Sequence, residues 1–268
     1  MPTAVLKKRG FLPLSKCSPQ YKRCAFNEVQ CKKSPHSQNG KPMAPQVTVI
    51  FSRHESEGNC SSDVLCEIIT RVKPDIMFEE LSEANFERAY FKNTLSTFEV
   101  WAIRTYLLTH SVTHIPVDTF DLPDNYDENL DFLYNQVIHR AGLHSSDFKN
   151  FHEQMTSIVD RHGFPLLNHD SNELLFEKRA ELIEHALNAL NDPKLYELAR
   201  LEKEVIEKRE ETILDTIYRY SLENDYERGL MLIGSGHRKS IMQKVAERSK
   251  TEKLKISWQY FLDLKVSH

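Results

Sequence analysis

The chain has 268 residues, 40% of them hydrophobic, which is long and apolar enough to bury a sizeable core. No run approaches the roughly 18 apolar residues of a membrane helix, and residues 11–14 are too short for a signal-peptide core, so neither secretion nor a membrane role is expected. The net charge of −4 hides an asymmetry: residues 1–45 carry nine Lys/Arg against the single Glu28, a balance of +8, so the remainder carries −12.

That basic stretch is expected to be a disordered tail outside the core. An organelle transit segment or a nucleic-acid arm would have this charge, but the arginines are few and no amphipathic helix is evident. Nucleic acid is therefore expected, if at all, only through the tail. Five cysteines (Cys17, Cys24, Cys31, Cys60 and Cys66), an odd number with no C-x-x-C pair, point to a reducing, cytoplasmic compartment. Cys17, Cys24, Cys31 and His36 are spaced more widely than the usual zinc-ligand pairs and read as free thiols.

Residues 46–268 read as one α/β domain. Gln46-Val-Thr-Val-Ile-Phe51 is a β-branched strand, and Ser61-Ser62-Asp63 opens a helix with Val64, Leu65, Ile68, Ile69 and Val72 on one face, ended by Pro74. Asp75-Ile-Met-Phe-Glu79 is a second buried strand, making residues 46–80 a βαβ unit. A helix over about residues 96–109 places Phe98, Trp101, Ala102 and Tyr106 on one stripe and leads to the strand His114-Ile-Pro-Val117, with Asp118 at its exit. An all-helical insertion follows over about 124–225, in which Asp192-Pro193 caps a long helix running towards Leu222. Gly229-Leu-Met-Leu-Ile233 returns to strand, Gly234-Ser-Gly-His237 turns, a helix carries Ile241, Met242, Val245 and Ala246, and residues 254–258 close the sheet. This alternation predicts a mainly parallel sheet flanked by helices, with the insertion before the last parallel strand.

Ligands of open parallel sheets bind outside the strand carboxyl ends, where His54, Glu79-Glu80, Asp118 and His237 all fall. A loop histidine and a strand-ending glutamate are ordinarily solvated surface groups; the repetition of strand, turn and histidine at 54 and 237 is what favours function. His237 opens a helix, whose positive end is expected to keep the imidazole neutral. Gly234 and Gly236 are expected to permit a tight turn, with Arg238 and Lys239 adding anion affinity. Two imidazoles and a carboxylate (His54, Glu80 and His237) could hold a divalent metal such as zinc or manganese, or act without metal as base and orienting acid. The insertion's histidines, from His139 to His185, lack regular spacing and read as solvated or core-edge residues.

Several blocks resemble the superfamily of TraB/TIKI metalloprotease-like, ChaN and erythromycin esterase-like proteins. Residues 47–54 resemble its strand ending in Gly-x-x-His, though Phe51-Ser52-Arg53-His54 lacks the glycine. Lys73-Pro-Asp-Ile-Met-Phe-Glu-Glu-Leu81 is similar to its "kPDvvxxEL" strand, Ile115-Pro-Val-Asp118 to its aspartate strand, Arg209-Glu-Glu-Thr-Ile-Leu-Asp-Thr-Ile217 to its Arg-led helix, and Met231-Leu-Ile-Gly-Ser-Gly-His237 to its second Gly-x-x-His. The resemblance implies a site of His54, Glu80, Asp118, Arg209 and His237, and a hydrolase of peptide or small-molecule ester bonds using metal- or histidine-activated water. A ligand-binding or regulatory module on the same fold is the non-catalytic alternative. Arg53-His-Glu-Ser-Glu-Gly-Asn59 is also similar to the histidine phosphatase motif, in which His54 would be the phosphorylated nucleophile and Arg53 a phosphate clamp.

Overall fold

The computed structural model describes residues 44–53, 57–119 and 121–261. The reading of a disordered tail over residues 1–45 falls, but for Ala44 and Pro45, outside the described residues. Among those that are described, no helix is long and apolar enough to cross a membrane.

The expected α/β architecture is present, with five parallel strands among the described residues, flanked by helices. Strand β1 (Gln46–Ser52) leads through helix α1 (Ser62–Val72) to β2 (Ile76–Glu79). Helices α2 (Glu83–Tyr90) and α3 (Phe98–Leu107) precede β3 (Thr113–Pro116). Five helices follow: α4 (Tyr126–Arg140), α5 (Leu143–His162), α6 (Phe164–Leu167), α7 (Ser171–Leu190) and α8 (Pro193–Glu223). The chain then returns as β4 (Arg228–Gly234), a 3-10 turn over Ser235–His237, α9 (Arg238–Thr251) and β5 (Ser257–Tyr260). The helical stretch thus precedes the fourth of five parallel strands, because the closing strand is parallel too.

The strand order is β3-β2-β4-β1-β5. β1 and β2, joined by α1, are therefore not neighbours: β4 lies between them, with Phe51 aligned to Ile233 on one side and Glu79 to Leu232 on the other. Residues 46–80 thus form two parallel strands joined by a helix, as expected, with β4 inserted between the strands. Its insertion puts the turn carrying His237 between the ends of β1 and β2.

Two apolar layers sandwich the sheet. Alternate strand residues Val47, Val49, Phe51, Ile76, Phe78, Met231 and Ile233 pack on α8 and α9, while Ile50, Met77, Leu230 and Leu232 pack on α1 and α3. In α1 the Ser61 hydroxyl caps the start by accepting from the Val64 N–H, and Lys73 ends it in the left-handed conformation (φ 50°) before Pro74. Leu65, Ile68, Ile69 and Val72 are buried, each contributing roughly 1.5–3 kcal/mol. Val64 is exposed, and so is Trp101, which was expected on the buried stripe of α3; Val100 and Ile103 fill the interior instead.

Helices α4, α5, α7 and the start of α8 form a second apolar centre, including Leu133, Val137, Phe148, Leu182, Ala186, Leu195 and Leu198. Helix α8 belongs to both centres, since its Ile213, Leu214, Ile217 and Tyr218 lie under the sheet.

Candidate functional site

Glu80 follows β2, Asp118 lies two residues beyond β3, and His237 ends the 3-10 turn after β4, so all three stand at the carboxyl edge of the sheet. Helix α8 passes this edge with Arg209 and Glu210. Arg209 Nη2 donates to Asp118 Oδ2 at 2.6 Å and to Glu80 Oε1 at 2.8 Å, and its Nε donates to both Asp118 oxygens at 3.0 and 3.2 Å. Burial works against the guanidinium charge, but the Asp118 hydrogen bonds and the Glu80 charge raise its pKa further above the ordinary value. Four of the five expected residues (Glu80, Asp118, Arg209 and His237) are therefore one connected group. The fifth, His54, lies outside the described residues.

Glu80 Oε1 accepts from Arg209 and Oε2 from the Gly234 N–H at 2.7 Å, and His237 Nε2 lies 3.4 Å from Oε1. The other ring nitrogen of His237 bonds Glu210 Oε1 at 2.7 Å. An ionised carboxylate only accepts, so the Glu210 contact calls for a proton on Nδ1, and the Glu80 carboxylate at 3.4 Å favours a second one on Nε2. Burial lowers the His237 pKa, yet the hydrogen bonds to Glu210 and Glu80 outweigh it and push the value up to about 9. The expected neutral ring is thus corrected: His237 does cap a helix, but two carboxylates in contact override the partial charge of the helix end.

The expected tight turn is present as the 3-10 turn over Ser235–His237. Gly234 has φ −57°, and neither it nor Gly236 needs a positive φ. The N–H of Gly234 serves Glu80, not a ligand. Arg238 pairs with Asp170 and Glu173, and Lys239 with Glu177, so neither is free to draw an anion.

A cavity of about 220 Å³ opens beside this group, lined by Ser52, Glu79, Glu80 and Glu99 and by apolar residues including Ile103 and Leu232. Glu79, buried to 3% exposure, accepts from the Tyr90 hydroxyl at 2.6 Å and bonds His114 Nδ1 at 2.6 Å. Burial and the Glu79 charge hold the Tyr90 phenol protonated. Arg53 points elsewhere, with Nη1 bonded to Asp160 Oδ1 on α5 at 2.7 Å.

Glu79 was in view at its strand end, but its trio with Tyr90 and His114, and Glu210 beside His237, are the groupings that sequence reasoning passed over. Glu210 was in view as the second residue of the Arg-led block. Nothing local marked the other trio, whose members come from β2, α2 and β3.

No protein-family model and no curated protein matches the chain. Among solved structures it is similar to an erythromycin esterase mutant, EreC, in its open conformation, with 13% identity over 81% of this chain and 69% of that one and a TM-score of 0.35. So distant a likeness assigns no chemistry, which rests on the chain's own residues.

A divalent metal was one of two readings of His54, Glu80 and His237, the other being acid–base chemistry without metal. Among the described residues no group of three or more His, Cys, Asp or Glu could hold one. Of the three, His237 Nε2 lies 3.4 Å from Glu80 Oε1, an oxygen that also accepts from Arg209, while His237 Nδ1 is bonded to Glu210; His54 lies outside the described residues.

Proposed function

We propose that the chain is a hydrolase of ester or peptide bonds that activates water at the Glu80–His237 pair without metal. The observation that carries this reading is the Glu80 carboxylate and the His237 imidazole 3.4 Å apart at the carboxyl edge of a parallel sheet, the carboxylate lining a cavity of about 220 Å³. A carboxylate beside a protonated imidazole supplies both a base and an acid.

In the proposed cycle Glu80 takes a proton from water as the oxygen attacks the substrate carbonyl carbon. His237 Nε2 then gives its proton to the departing alkoxide or amine as the C–O or C–N bond breaks. Glu80 is left protonated and His237 neutral, and proton transfer across the pair restores both. Arg209, fixed by Asp118, holds Glu80 in place and offsets its charge. The cavity would take the acyl or alcohol portion of a small substrate.

The test is turnover of p-nitrophenyl esters and a fluorogenic peptide by the full chain, its Glu80→Gln and His237→Asn variants, and the chain dialysed against EDTA. Each substitution should lower kcat/KM by about 10²–10⁴-fold, the usual worth of a positioned acid or base. Chelation should change nothing. No turnover of any ester or peptide would overturn the hydrolase reading, while loss on chelation with recovery on adding zinc would overturn only the metal-free mechanism.

A further inference from the structure

Glu210 is a carboxylate with 1% of its surface exposed, a placement tolerated only when its oxygens are paired or hydrogen-bonded. Oε1 is bonded to His237 Nδ1 at 2.7 Å. Oε2 accepts the Ser240 hydroxyl, with Lys244 Nζ at 3.6 Å. The lysine alone does not account for the burial, because it sits closer to Glu211, at 3.0 Å. The strong contacts of Glu210 are the imidazole on one oxygen and the serine on the other, so the carboxylate cannot turn without losing one of them.

An imidazole tied at Nδ1 to an immobile acceptor has its plane fixed and its Nδ1 protonated, and Nε2 is aimed along one direction. Here Nε2 lies 3.4 Å from Glu80 Oε1. Arg209, the preceding residue of the same helix, donates to that same oxygen of Glu80. Two consecutive residues of α8 thus hold the two members of the pair.

The geometry points to Glu210 as the positioning residue of His237, setting the orientation and protonated nitrogen of the ring so that Nε2 faces Glu80. Its catalytic consequence rests on the hydrolase reading; the positioning does not.

The test is nitrogen–proton correlation spectroscopy of the histidine rings in the full 15N-labelled chain at pH 7, with the His237 signals identified by their loss in His237→Asn. Wild type should show both His237 nitrogens protonated and a strongly deshielded, slowly exchanging Nδ1–H. In Glu210→Gln that signal should shift upfield and exchange faster, and kcat should fall about 10–100-fold with KM nearly unchanged, as for loss of a ligand's orienting partner. An unchanged Nδ1–H signal in a folded Glu210→Gln chain would overturn the inference. Should that variant not fold, Glu210→Asp keeps the charge but withdraws the carboxylate by one methylene: a shifted signal supports the inference and an unchanged one overturns it. If wild type turns over no substrate, the hydrolase reading fails while the ring signals still decide the role of Glu210.

Discussion

His237 shows how contact charges defeat a longer-range field. The end of a helix offers about half a unit of positive charge, whereas Glu210 at 2.7 Å and Glu80 at 3.4 Å each offer a full negative charge. Arg209 and Lys244 approach the same carboxylates, and the balance still leaves the ring protonated, with its pKa raised from 6.5 to about 9. The consequence for stability has a definite sign. Below pH 6.5 the ring is protonated in both folded and unfolded chains, and its full contribution is present. As pH rises the unfolded chain releases the proton first, so stability falls and the contribution is lost as pH passes about 9. The melting temperatures of wild type and His237→Gln should therefore differ most below pH 6.5 and converge towards pH 9. A gap that stays constant over that window would show that His237 is not held as an imidazolium.

The segment after β1 illustrates what an element's exit needs from its neighbours. Gly58 has φ +55°, and a Cβ there would lie 2.2 Å from the Asp160 carbonyl oxygen. The Asn59 N–H donates to that same oxygen at 2.8 Å, and Asn59 Nδ2 donates to the Arg161 carbonyl at 2.6 Å, so the segment is moored to the end of α5. Gly58→Ala should cost at least the 1–2 kcal/mol of a left-handed residue with a side chain, plus displacement from α5. Thermal melts check this; an unchanged melting temperature would mean that the mooring contributes nothing. The glycines legible as functional in the sequence were Gly234 and Gly236, whereas close packing at positive φ requires glycine at Gly58 and Gly163. The reason is general: a G-x-G turn is a local pattern, while close approach to residue 160 exists only in the fold. Strands and their polar ends were legible for the same reason in reverse, since β-branched runs such as Val47 to Phe51 and buried runs such as Leu230 to Ile233 carry their own signal. Helix α2 was not, having only Ala89 buried and hence no apolar period to read. Nor was the pairing of Glu79 with Tyr90 and His114, because a glutamate ending a strand looks solvated until its partners arrive from other elements. Of the candidate site, Glu80, Asp118, Arg209 and His237 were each visible as residues, but the place of β4 between β1 and β2, which brings His237 to Glu80, has no local signature.

Helix α8 makes the helical insertion and the sheet depend on each other. Its 31 residues span about 46 Å at roughly 1.5 Å per residue. Leu195 and Leu198 are anchored among α4, α5 and α7, Ile213 to Tyr218 are anchored under β1, β2 and β4, and Arg209 and Glu210 lie between the two anchors. We propose that residues 46–268 unfold as one domain, since a continuous helix cannot lose half its burial and keep the other half in register. Leu198→Ala, far from the sheet, puts this to the test and should cost about 2–4 kcal/mol through the cavity it leaves. The two tryptophans give a separate view of the sheet layer. Trp258 on β5 packs against Tyr218 with ring centroids 6.1 Å apart, whereas Trp101 is already 47% exposed and its emission should change less on unfolding. Far-ultraviolet circular dichroism mainly reports the helices, and tryptophan emission mainly reports Trp258. In urea the two signals should share one midpoint in wild type and move together to a lower one in Leu198→Ala, because the lost burial at one end of α8 is felt at the other. If the dichroism midpoint falls while the Trp258 midpoint stays in place, the insertion is an independent folding unit, and α8 could not then transmit a change in the helical bundle to Arg209 and Glu210.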